Sequence, residues 1–212
     1  MTSIPSPPVR RKRVRLKPEV RSRLILDAAI VEFSRHGFAA TRIEDIATRA
    51  GLTKTGVYAH FAGKEAIFES LLTHMLMGGS QDAEPFWRPA GDESLEAMVD
   101  CYLDEAYRKA QDPMVAEIFR LVLGEGERIP GLLERWHGRI LERRAREQAV
   151  IDGCIQRGVI RKSPLTDLFP LAMSPAFVWM ISRLVFKSDD SLPLDQVRAI
   201  HREMLLEVLR PK

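Results

Sequence analysis

From Pro18 onward the apolar positions recur at helical spacing, and nowhere do they alternate as in a half-buried strand. Leu24, Ile25, Ala28, Ala29, Val31, Glu32 and Phe33 follow with helical spacing in a first helix. Pro18 suits its first turn, and Gly37 is placed to close it as a left-handed cap. Thr41 and Glu44 read as a T-x-x-E capping box opening a second helix that runs to about Ala50. Gly51 ends that helix, and Thr53 caps a third, to about Phe61. Gly63 starts a fourth, ending at Gly78-Gly79.

Residues 79–93, GSQDAEPFWRPAGDE, are rich in breakers and predict a long loop. Further helices are expected over Ser94 to Lys109, Met114 to Gly124, Pro130 to Gly158, Thr166 to Phe186 and Leu194 to Leu209. There is no internal repeat. The expected fold class is all-α with about nine helices, divided into a disordered basic arm (1–17), a three-helix helix-turn-helix domain (18–63) and a larger helical domain (64–212).

Composition alters this picture in few places. A net charge of +3 is modest, but Arg10, Arg11, Lys12, Arg13, Arg15, Lys17, Arg21 and Arg23 concentrate the excess next to the short helices. Such an arm either follows a phosphate backbone or serves as a flexible solubilising tail. No apolar leader precedes it, so a cytoplasmic protein is expected. Cys101 and Cys154 are far apart and read as buried, reduced thiols.

An enzyme is not expected. The histidines, His36, His60, His74, His137 and His201, lack metal-ligand spacing, and no P-loop, GxGxxG or GxSxG is present. GEGE at 124–127 is a helix-ending turn. Neither metal nor cofactor is called for.

The segment from Thr41 to Lys64 carries the positive signal. Small Ala47 and permissive Gly51 allow two helices to cross at a tight turn. Ile43, Ile46, Leu52 and Val57 then face Phe33 and Phe61, leaving Arg42, Lys54, Thr55, Tyr58 and His60 outward. The start of the third helix offers unpaired N–H groups to phosphates or base edges, and Gly56 lets its backbone approach a groove wall.

Residues 21–68 resemble the DNA-binding domain of the TetR (tetracycline repressor) family. The resemblance rests on Ile25-Leu26-Asp27-Ala28-Ala29, Phe33, Gly37, Thr41, Ile46-Ala47, Ala50-Gly51, Gly56-Val57-Tyr58, His60-Phe61 and Lys64. It implies DNA contacts from Thr41, Lys54, Thr55, Gly56, Tyr58, His60 and Lys64, to which the outward Arg42 and the cap Thr53 add the rest of the expected DNA face. In that pattern Thr41 is a phosphate-contacting cap and Lys64 a phosphate-binding lysine. The partner implied is a double-stranded DNA operator, palindromic and read by a homodimer, with repression as the usual outcome.

Leu168 to Ser182 contains no charged residue, yet its two prolines and its length argue against a membrane span. A helix apolar all round must be covered on every side. Pairing between chains through residues 166–186 and 194–209 would cover it as a four-helix interface. Met98, Tyr102, Phe119, Val122, Leu123, Trp136, Ile140, Met173, Phe177 and Met180 are candidates to line a pocket for an unidentified small-molecule effector, apolar or aromatic. Arg135, Arg139, Arg143, Arg144 and Arg146 read instead as a solvated, salt-bridged helix face. Effector binding would swing the fourth helix and spoil the spacing of the two reading heads. The alternative is a ligand-independent DNA-binding regulator controlled by a protein partner.

Overall fold

The computed structural model describes residues 17–77, 87, 94–126, 129, 131–186 and 192–212, and among them every regular element is helical. The expectations for the basic arm before Lys17 and for the 79–93 loop, apart from Trp87, lie outside the described residues. The helices are α1 (Pro18–Ala40), α2 (Ile43–Arg49), α3 (Lys54–Tyr58), α4 (Lys64–Met77) and α5 (Leu95–Ala110). They continue with α6 (Pro113–Glu125), α7 (Leu132–Gln156), α8 (Pro164–Asp167), α9 (Ser174–Phe186) and α10 (Leu194–Leu209).

Among the described residues ten α-helices stand where nine were expected, because the segment 166–186 is broken. Pro164 opens α8, Pro170 begins a 3-10 turn over Phe169–Met173, and Pro175 falls in the first turn of α9. Proline lacks the N–H an uninterrupted helix needs, so each restarts the hydrogen-bond ladder. The regular part, thirteen residues of α9, is about 20 Å long at about 1.5 Å per residue, short of a hydrocarbon core about 30 Å thick.

Gly37 takes positive φ, 76°, but with ψ 161° it is extended and not the left-handed cap expected, and helical hydrogen bonding resumes beyond it as far as Ala40. The anticipated capping box shifts by one residue. Arg42 is the N-cap of α2, and its backbone N–H donates to Asp45 Oδ2 at 3.1 Å, so Asp45 does what was expected of Glu44.

Two apolar cores organise the chain. The first joins Ile25, Ala29 and Phe33 of α1, Ile46 of α2, Val57 of α3 and Ile67, Phe68 and Leu71 of α4. Its aromatic centre is Phe33, Phe38 and Phe68, with ring centroids 5.3–5.7 Å apart. Ile118, Leu121 and Val122 of α6 also belong to it, so the larger domain is packed into the base of the small one. The second core gathers Met98, Tyr102, Leu103 and Tyr107 of α5, Ile151 and Cys154 of α7, Phe169, and Leu205 and Leu209 of α10. Cys154 is buried as expected, but Cys101 is exposed, because it projects from the outer side of α5.

His201 is buried between these helices. Its Nε2 is 2.8 Å from the Ala172 carbonyl, which can only accept, so Nε2 carries the proton and Nδ1 accepts from the Tyr107 hydroxyl at 3.2 Å. This polar tie fixes α10 against α5 and the 3-10 turn. Arg198–Asp104, Arg202–Asp100 and Arg210–Glu96 pairs run along the same α5–α10 seam.

Candidate nucleic-acid interface and effector cavity

The helix-turn-helix forms because every local signal in it agrees. Leu52 N–H donates to Ala47 O at 2.9 Å across the turn, and Gly51 has φ 67°, where a Cβ would be strained. Thr53 caps α3, its Oγ1 accepting from Gly56 N–H at 3.0 Å. Ile43, Ile46, Ala47 and Val57 are buried, while Leu52 and Phe61 pack at the margin. Glu32 is buried and paired with Arg49, which ties α1 to α2.

Of the nine residues expected to meet DNA, Arg42, Thr53, Lys54, Thr55 and Tyr58 are exposed on one surface, with Gly56 and His60 partly exposed beside them. Lys54 forms an ion pair with Glu44 and stands 5.9 Å from the centre of the Tyr58 ring. Their hydrogen bond holds the Glu44 carboxyl below, and the Lys54 ammonium above, its ordinary range. A Cβ on Gly56 would lie 3.2 Å from Thr53 Oγ1, so glycine here protects the cap as well as bringing backbone near a groove. The N-terminal donor argument weakens: α3 is five residues long, and the Gly56 N–H is already engaged.

Two expectations are corrected. Thr41 is 2% exposed, with its hydroxyl 2.8 Å from Gly37 O and 3.1 Å from Glu32 O. Its one proton is spent inside the protein, so the side chain is a tie between α1 and the turn, not a phosphate-contacting cap. Lys64 Nζ donates to the carbonyls of Phe38 and Ala39 at 2.8 Å each and Thr41 at 3.2 Å, and lies 4.8 Å from the Phe38 ring centre. All three of its donors close the end of α1, where carbonyls lack helical partners and attract cations. In this geometry the ammonium holds the end of α1, a structural role different from the phosphate contact expected of it.

Two cavities open in the larger domain. One of about 310 Å³ is bounded by α5, α6, α7 and α9 through Ala106, Lys109, Ala110, Val115, Phe119, Trp136, Ile140, Arg143, Met173, Ala176, Phe177 and Met180. The other, about 340 Å³, is bounded by Trp87, Tyr102, Ile140, Arg143, Arg144, Glu147, Phe169, Pro170 and Met173. They share Ile140, Arg143 and Met173 as a common wall.

Seven of the ten expected lining residues therefore border a cavity: Tyr102, Phe119, Trp136, Ile140, Met173, Phe177 and Met180. Three do not. Met98 is in the second core, Val122 is in the first core, and Leu123 is 71% exposed, since successive positions on α6 point in different directions. Arg143 also departs from expectation: its side chain is 11% exposed, pairs with Glu147 at 2.9 Å and lines both cavities. Lys109 and Trp87 went unnoticed in the sequence, one at a charged helix end, the other inside a loop of breakers. Burial, and next the repulsion of Arg143, push the Lys109 ammonium down to about 8.

Comparison with known proteins places this geometry. A model of bacterial regulatory proteins of the tetR family matches residues 25–71, which run from within α1 to the middle of α4. The HTH-type transcriptional repressor SCO4008 of Streptomyces coelicolor is 32% identical over 165 residues, covering 75% of this chain and 78% of that protein. The chain belongs to the TetR family. As a TetR-family protein it is a DNA-binding transcriptional regulator, and its relatives are named as regulators and not as enzymes. RutR of Escherichia coli is 41% identical over 56 residues, 26% of each chain. Among solved structures, a TetR family transcriptional regulator from Pseudomonas syringae superposes with TM-score 0.69 at 23% identity, over 90% of this chain and 96% of that one. AibR in complex with isovaleryl coenzyme A and operator DNA superposes with TM-score 0.55 at 17% identity, over 91% and 100%. These two show the TetR-family fold in the larger domain as well.

Proposed function

We propose that this TetR-family regulator is a repressor that binds a palindromic operator as a homodimer and is released by a small ligand held in the cavity of the larger domain. The observation that carries the reading is the double role of α6. Val115 and Phe119 border the cavity, while Ile118, Leu121 and Val122, from the same helix, are part of the core beneath α1 and α4. A ligand that displaces α6 therefore displaces the base of the reading head, since packed cores shift between discrete arrangements and do not deform continuously. By reciprocity, operator DNA weakens ligand binding by the same factor.

Arg42, Lys54, Thr55, Gly56, Tyr58 and His60 form the proposed DNA face, with Thr53 as the cap that orients it. The apolar outer faces of α9 and α10 favour pairing: Val178, Val185, Phe186, Ile200 and Met204 are each more than half exposed. Isologous pairing of α9 and α10 would cover them and set two recognition helices about 34–36 Å apart or slightly further, one turn of the duplex. The AibR structure, in which the same fold holds both acyl-coenzyme A and operator DNA, is in keeping with such coupling.

Selection of bound sequences from a random DNA pool tests the reading directly. A palindrome is expected, and no enrichment would defeat it. Lys54→Ala and Tyr58→Ala should each weaken binding to the selected site without changing dimerisation or helix content. Unchanged affinity would mean that the DNA face lies elsewhere.

A further inference from the structure

Between Thr41 and Lys64 the chain carries two acids, Glu44 and Asp45. Asp45 is committed to capping, its carboxylate accepting the Arg42 backbone N–H at 3.1 Å. Glu44 instead forms an ion pair with Lys54, the first residue of α3, and both side chains are half exposed. An exposed ion pair contributes little to stability, so its consequence is one of position. Lys54 Nζ is held between the carboxylate and the Tyr58 ring, whose centre is 5.9 Å away. Arg49 and Lys64, by contrast, are spent on Glu32 and on the carbonyls that end α1. The Lys54 hydrogen bond, and more weakly the charge of Arg42, hold the Glu44 carboxyl below its ordinary range, so it meets DNA as an acceptor only. A donor and an acceptor therefore stand side by side on the outer surface of the motif.

The chemistry of the duplex limits what such a pair can do. Phosphates only accept, so a carboxylate is repelled by them and gains no contact. The donors in the major groove are the exocyclic amines, N4 of cytosine and N6 of adenine. A G·C pair presents two adjacent acceptors, guanine N7 and O6, and then the cytosine N4 donor. An ammonium can serve both acceptors while the carboxylate beside it takes the amine. An A·T pair places its one amine between two acceptors. The carboxylate that takes that amine then faces an acceptor the ammonium does not cover.

We propose that Glu44 and Lys54 act as one composite reader of a G·C base pair in each half-site, Lys54 donating to guanine O6 and N7 and Glu44 accepting from cytosine N4. This rests on the reading of α2 and α3 as the DNA face. Glu44 thereby determines specificity in two ways. Its charge makes docking on arbitrary sequence less favourable, and the penalty is offset only where an amine faces it. It also keeps Lys54 from settling on whichever phosphate is nearest. Glu44→Gln keeps an accepting oxygen and drops only the charge; Glu44→Ala removes both and is the variant that tests the reading.

The test uses the full chain as wild type, Glu44→Ala and Lys54→Ala, each selecting from a random duplex DNA pool. Both side chains are exposed, so the variants are expected to fold, which circular dichroism verifies. The wild-type motif should hold a G·C pair in each half-site at which both variants lose their preference, while the other positions persist. At fixed salt, changing that pair to A·T should weaken wild-type binding about fivefold or more by fluorescence anisotropy, and Glu44→Ala less than about twofold. A Glu44→Ala motif identical to that of the wild type overturns the composite reader and leaves the DNA face standing. Loss of preference at different positions in the two variants, or a shared position that is A·T, overturns it as well. No enrichment by the wild type defeats the DNA reading itself, and this proposal with it.

Discussion

Lys64 offers the sharpest separation between a residue that touches DNA and one that builds the reading head. Lys64→Met keeps the length and much of the volume of the stem and removes only the ammonium. Three carbonyls then lose their donor, those of Phe38, Ala39 and Thr41, along with a cation 4.8 Å from the Phe38 ring centre. A hydrogen bond from a charged group is worth about 1.5–3 kcal/mol when well buried. Here water can reach parts of the site and replace part of the loss, so the three together are expected to contribute about 2 kcal/mol. For a chain of this size that corresponds to a fall in Tm of roughly 4–8 °C. Calorimetry or urea titration measures it. Binding to the selected operator, at a temperature well below the lowered Tm, should show an unchanged slope of log affinity against log salt. A slope shallower by about one, with Tm unaltered, would mean that the ammonium is a phosphate contact and that its place at the end of α1 is incidental.

Other expectations follow from particular contacts. Glu44→Gln releases Lys54 from its ion pair and removes a carboxylate from the DNA face, so operator affinity should rise about two- to fivefold at low salt; fluorescence anisotropy that finds equal or weaker binding would refute the placement of that face. Ile118→Ala empties a fully buried position in the core shared by α6 and the reading head and should cost about 2–5 kcal/mol by urea unfolding. Burial lowers the affinity of His201 for a proton, and of His74 likewise, with Arg23 adding to the effect at His74. Both are held neutral when folded, so stability is complete above the unfolded value of about 6.5 and declines as pH falls below it. His201→Gln should flatten part of that decline in thermal unfolding followed from pH 7 to pH 5. Lys109→Met should raise Tm at pH 7, because a cation held down to about 8 by burial opposes folding while it is charged.

Much of the reading head was legible in the chain. The cap at Thr53, the turn at Gly51 and the inward positions Ile46 and Val57 are local matters of backbone conformation and helical period, and they hold in the structure. The larger domain was legible as helices but not as a site. Leu123 and Phe119 look alike in a list of apolar residues, yet one is 71% exposed and the other borders a cavity. Periodicity gives the faces of a helix; it does not say which face meets which neighbour. Arg143 shows the same limit from the polar side. An arginine stripe reads as solvated surface until packing withdraws one member into a cavity wall.

By itself the sequence determined the all-α class, the helix-turn-helix and the uncharged segment from Leu168 to Ser182, because each depends on neighbours a few residues apart. Only the tertiary structure decided that Thr41 and Lys64 are tied to the end of α1, that α6 borders the cavity and the first core at once, and that Arg143 stands between the two cavities. Those depend on groups brought together from dozens of residues away, where burial, not spacing, sets what a side chain is free to do.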